Sequence, residues 1–167
     1  MATTYKLISS VTVGSGGAAS IDFTSIPATY TDLVVKTSLR DTFASTVQVV
    51  NISFNGNTAN FSNRNLQGNG STASSFTQTR RILLASSASS TANTFSNGEI
   101  YIPNYAGATN KSFSSDSVSE NNASTSFQAL DASLWSNTAA ITSITLSPDS
   151  GSFVQYSTAY LYGISNA

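Results

Sequence analysis

The stretch Gln155-Tyr156-Ser157-Thr158-Ala159-Tyr160-Leu161-Tyr162-Gly163-Ile164 carries the clearest structural signal in the chain. Tyr156, Thr158, Tyr160, Tyr162 and Ile164 alternate with Ser157, Ala159, Leu161 and Gly163. A period of two puts successive side chains on opposite faces of a β-strand, whereas a helical face repeats every ~3.6 residues. If Ala159 and Leu161 face a core, the tyrosines form an outer aromatic stripe. If the tyrosines face inward, their hydroxyls need partners there. An outer stripe suits a subunit interface, because tyrosine offers large area, few rotors and a polar tip. Packing at the rim of a sandwich accounts for the same pattern.

The same period recurs back along the chain, over residues 5–13, 21–23, 31–39, 47–54, 80–84, 98–103, 111–119, 127–135 and 141–146. Tyr5, Leu7, Val11 and Val13 read as one face of the first strand, and Leu33, Val35, Thr37 and Leu39 as one face of the third. Turn chemistry separates these runs: Gly14-Ser15-Gly16-Gly17, Pro27, Asn55-Gly56 and Pro148-Asp149-Ser150-Gly151. Residues 57–75 and 86–93, rich in Ser, Asn, Thr and Ala, read as polar excursions with little core. Short strands at this spacing predict an all-β antiparallel sandwich or barrel of about eight to ten strands. The 167 residues fit one domain, with enough interior to need no staple.

Composition removes most chemistries. Without Cys or His there is no thiolate nucleophile, no zinc thiolate site, no disulfide and no Ser-His-Asp triad. The absence of Cys fits assembly in a reducing cytoplasm. Only 9% of residues are charged, against about 25% in an average domain, and Ser plus Thr supply about a third of the chain. A net charge of -1 gives no electrostatic footprint for nucleic acid or an anionic membrane, and it permits close packing of copies against one another. Residues 1–6 lack the basic start and apolar run of a secretory signal, and no stretch is apolar enough to be a membrane helix. We therefore expect a chain made in a cytoplasm and not targeted to a membrane.

The acids Asp22, Asp32, Asp41, Glu99, Asp116, Glu120, Asp131 and Asp149 are scattered singly. Glycosidase chemistry needs two carboxylates close together; Glu99 and Asp131 could meet only through the fold, and no enzyme is expected. Asp149-Ser150-Gly151 is a weak calcium-loop candidate, and no cofactor motif is present. The Gly14–Gly17 run has no following Lys-Ser/Thr, so it is a turn and no phosphate loop. Arg40-Asp41 reads as a local ion pair or turn. Arg80 and Arg81 could meet a partner's carboxylates bidentately or simply open a solvated strand. The lone tryptophan, Trp135, could stack on a sugar if exposed, but core filling is the better reading. Asn-x-Ser matches at Asn51, Asn60, Asn69, Asn110 and Asn122 follow from composition. The interface candidates are thus Tyr156, Tyr160, Tyr162, Trp135, Arg80 and Arg81.

Both ends of the chain carry a resemblance. Thr12-Val13-Gly14-Ser15-Gly16-Gly17-Ala18-Ala19, Ile21-Asp22-Phe23-Thr24-Ser25-Ile26-Pro27, Tyr30-Thr31-Asp32-Leu33 through Arg40, and Ala159-Tyr160-Leu161-Tyr162-Gly163-Ile164 resemble small β-rich virion proteins of tailed bacteriophages. The middle of the chain matches only loosely, and the shared motifs are structural. The resemblance implies a jelly-roll-like sandwich on a virion surface. It further implies a capsid decoration or cement protein, often trimeric, that binds the major capsid protein or other virion proteins. The alternative is a tail-fibre head that recognises host glycans; a first strand beginning near Tyr5, with no preceding anchor, favours decoration. The expected mechanism is cohesive. Many copies bury apolar area at about 25 cal/mol per Å² before ordering costs, and their contacts add through multivalency.

Overall fold

A computed structural model describes residues 4–122 and 126–165. Residues 1–3, in the stretch read for a secretory signal, and Ser124 of the Asn122 match, lie outside that range. The described residues form twelve strands and no helix. They are β1 (Tyr5–Thr12), β2 (Ile21–Phe23), β3 (Asp32–Leu39), β4 (Val47–Phe54), β5 (Phe61–Gly68) and β6 (Ala73–Gln78). The second half adds β7 (Arg81–Ser86), β8 (Ser96–Ile102), β9 (Lys111–Ser119), β10 (Phe127–Trp135), β11 (Ile144–Pro148) and β12 (Thr158–Ile164). All strand pairs are antiparallel. One sheet of eight runs β1-β12-β3-β8-β9-β10-β5-β6, and a sheet of four runs β2-β11-β4-β7.

The all-β two-sheet sandwich is as the alternation predicts, but it has two strands more than the upper expectation. The first, β5, lies within the polar excursion expected over residues 57–75, and the second, β6, starts in it and runs three residues past its end. There β5 and β6 form a hairpin paired to β10. Its inward residues Asn63 and Asn65 are buried although polar, because Asp131 and Ser133 across the ladder accept their amide hydrogens. With no apolar period, the segment reads as loop.

The core lies between the sheets. Leu33, Val35 and Leu39 of β3, Ile100 and Ile102 of β8, and Ala159 and Leu161 of β12 meet Val50, Ile52 and Phe54 of β4 and Ile144 and Leu146 of β11. At one end Phe54 touches three rings: Phe113 at 5.3 Å, Trp135 at 5.4 Å and Phe61 at 5.5 Å between centroids. Trp135 is 1% exposed, so it fills the core and is withdrawn as an interface candidate.

Three local devices shape the chain. Asn55 and Gly56 adopt positive φ of 53° and 70°, closing the turn after β4 as the dipeptide predicts. A bulge between Leu7 and Ser9 inserts one residue into β1. It leaves Tyr5 and Leu7 outside and turns the half-buried Val11 toward the core, so the expected single face of Tyr5, Leu7, Val11 and Val13 is split. Gly163 is required by close approach: a Cβ there would lie 2.3 Å from the Tyr30 ring.

The segment expected as a linker over residues 86–93 is anchored. The Arg40 guanidinium donates to the carbonyls of Thr94 at 2.9 Å, Thr91 at 3.0 Å, Ser90 at 3.2 Å and Ala88 at 3.4 Å. Arg40 therefore organises this loop instead of pairing with Asp41, and Ser86, Ser87 and Ser90 are buried.

Trp135→Ala should lower the unfolding free energy by about 3–5 kcal/mol, read by urea denaturation followed by circular dichroism.

Candidate interaction surface

The four-stranded sheet covers only the inner face of the eight-stranded sheet. The ladder registers define the opposite, outer face. One row across the strands is Leu7, Tyr162, Val34, Tyr101, Ser114, Ala132, Arg64 and Thr77. The next row is Ser10, Tyr160, Lys36, Glu99, Asp116, Leu130, Leu66 and Ser75. Of the nine large hydrophobic side chains exposed among the described residues, six stand on this face: Tyr5, Leu7, Leu66, Tyr101, Leu130 and Tyr160. Phe43, Phe76 and Tyr156 are the other three.

The face has two halves. On β1, β12, β3 and β8, Tyr5 meets Tyr162 edge-on at 6.3 Å. The Tyr101 hydroxyl donates to Asp32 at 2.9 Å, which pushes its own ionisation upward. Lys36 donates to Glu99 across the ladder, and that bond holds the ammonium above its ordinary range. Both partners are largely solvated, so the pair contributes roughly 0–1 kcal/mol. On β9, β10 and β5 the face carries Leu66 and Leu130, directly opposite one another, with Asp116 and Arg64 at its margins.

The final strand follows the outer-stripe arrangement. Ala159 and Leu161 are fully buried while Tyr160 and Tyr162 point outward. Tyr156 precedes the strand, in a turn at φ 72°. Arg81 is spent within the chain, donating to Asp149 at 3.0 Å. Arg80 lends its carbonyl to Ile52 at 2.9 Å, and the residue is half-buried. Asp149 also accepts from Asn51 at 3.0 Å, so its loop closes on protein donors. Glu99 and Asp131 stand on opposite faces of the large sheet and cannot form a carboxylate pair. Leu66 and Leu130 were missed as interface residues. Leu130 alternates visibly in β10, but Leu66 lies in a segment without apolar period.

Among the described residues the interior holds the phenol of Tyr105, whose ionisation burial pushes upward, together with one base and two acids. Lys111 is buried, with its ammonium donating to the carbonyls of Gly107 and Thr109, and burial pulls its titration down. Burial pushes Asp131 and Asp41 above the ordinary aspartate value, against hydrogen bonds from Asn65 and Asn63 to the first and from the Phe43 amide, at 2.9 Å, to the second. Among the described residues no three Asp or Glu side chains converge on a point that could hold a metal ion. No family model matches the chain, and no curated protein matches it significantly.

A raised folded carboxyl stabilises most below its unfolded value of 3.8, and that stability is lost as pH rises through the folded value. Asp131 and Asp41 are therefore destabilising when ionised. Asp131→Asn should raise the urea midpoint at pH 7 and flatten the gain that the natural chain shows between pH 7 and pH 4. A variant with the same midpoint and the same pH profile would contradict this assignment.

Proposed function

We propose that this chain is a non-catalytic virion structural protein of the tailed-phage type, a decoration protein that docks on a shell through the outer face of its large sheet. The concentration of exposed tyrosine and leucine on that one uncovered face carries the reading. Interface cores are enriched in tyrosine and depleted of charge, and here Lys36 and Glu99 neutralise each other within the patch. Low net charge and the phage-like ends support it further. The docking partner is a shell protein, which the tyrosine half meets with ring area and hydroxyl tips. A glycan-reading head is the second reading, favoured by Tyr162 and Tyr101 lying in one row two strands apart. That spacing is about 10 Å and would let two rings stack on a linear saccharide.

The test is location and load. Particles imaged by cryo-electron microscopy should carry the chain across the shell, and stripped particles should burst at a lower temperature. Tyr101→Asp combined with Tyr160→Asp should cut shell occupancy by more than about tenfold. Confinement to the tail, with saturable binding on a sugar array lost in the same variant, would favour the glycan reading instead.

A further inference from the structure

The second half of the outer face carries, around its leucines, a charge pattern that the shell-docking reading does not use. Leu66 and Leu130 are 53% and 49% exposed, and they form a cross-strand pair at the centre of a shallow depression of about 350 Å³. Asp116 stands directly opposite Leu130 on one side, and Arg64 lies two residues along β5 from Leu66 on the other. Among the described residues the ion pairs are Lys36–Glu99 and Arg81–Asp149, which leave Arg64 and Asp116 without one. The Arg64 guanidinium bonds only its neighbour's carbonyl, Asn63, at 3.1 Å. Asp116 faces Glu99 across the β8–β9 ladder, a like-charge pair that the single Lys36 ammonium, bonded to Glu99 and attracted more weakly by Asp116, offsets only in part. Lys36 already serves Glu99. The patch thus has an unpaired acid, an unpaired base and two exposed leucines between them.

We infer that this surface is a self-complementary interface that binds a second copy of the same chain. Strands lie about 4.8 Å apart and alternate residues about 6.8 Å apart, so Arg64 and Asp116 sit about 12 Å apart on the diagonal of the patch. A two-fold axis lying in the interface and bisecting that diagonal brings Arg64 of each copy onto Asp116 of the other. The same rotation brings Leu66 over Leu130 and Leu130 over Leu66. Ala132 and Ser114, the short side chains between them, let the two sheets approach. This exchange of i with j and j with i is what an isologous interface requires. It relieves the Asp116–Glu99 repulsion and covers the leucines in one step. The product is a dimer, where the phage resemblance implies a trimer, and it leaves the tyrosine half free.

Sedimentation velocity and light scattering over a concentration series test it. The natural chain should pass from monomer to dimer. Arg64→Asp or Asp116→Arg should each weaken the dimer by more than about tenfold, because each sets like charges together. The double swap Arg64→Asp/Asp116→Arg should restore it, and Leu130→Lys should abolish it. All these positions are exposed on the outer face, and circular dichroism should confirm an unchanged fold. A chain that stays monomeric, forms a trimer, or dimerises equally well in every variant overturns the inference, as does a double swap no better than the singles. A monomer that still decorates shells would refute this interface and leave the docking reading standing.

Discussion

The free edge of β7 is the constraint on which the sandwich depends. β7 closes one side of the small sheet, pairs with β4 on one flank only, and is packed against the large sheet on the other. A buried edge with unmet N–H and C=O groups would be severely destabilising. The inner-face serines of β9 prevent this. Ser115 donates to the Ile82 carbonyl at 2.5 Å, Ser117 accepts from the Leu84 amide at 3.2 Å, and Ser119 meets Ser86 at 3.1 Å. Alternate serines on one strand thus match alternate groups on another. A backbone edge is joined to a side-chain row, and the two sheets are held in one register.

That arrangement explains why a chain with so much serine still has a firm interior. Hydroxyls that look like surface polarity in the sequence are used inside, where Ser115 and Ser117 satisfy backbone groups of β7 and Ser86, Ser119 and Ser133 bond other side chains. Gly98 completes the fit. A Cβ there would lie 2.7 Å from a methyl of the buried Leu83 side chain of β7, which occupies the space over the glycine. Further along the large sheet, Asn63, Asn65, Asp131 and Ser133 extend the polar layer under the hairpin. With the small sheet held on the inner face, the outer face of all eight strands remains open, and the exposed rings and leucines collect there.

The fold was legible wherever apolar residues alternate. β4, β9 and β10 have the bounds that the pattern predicts, and β12 faces the way its buried alanine and leucine require. It was not legible where polar side chains satisfy one another, because β5 and β6 carry no period. Nor was it legible where a bulge changes parity in β1. Of the candidate interface residues, Tyr160 and Tyr162 face outward, whereas Trp135 is enclosed by Phe54 and Phe61. Arg40 was underestimated because its carbonyl partners are distant in the chain.

Sequence alone determined that this chain is built of antiparallel strands and has neither thiol nor imidazole, because alternation and composition are local properties. Only the tertiary structure decided which face of the tyrosine stripe meets solvent, that Leu66 stands beside Leu130, and that Asp116 and Arg64 remain unpaired on the same face. Those relations come from strand order and register, which are set when the edge of β7 finds the serines of β9, contacts formed between residues some thirty positions apart.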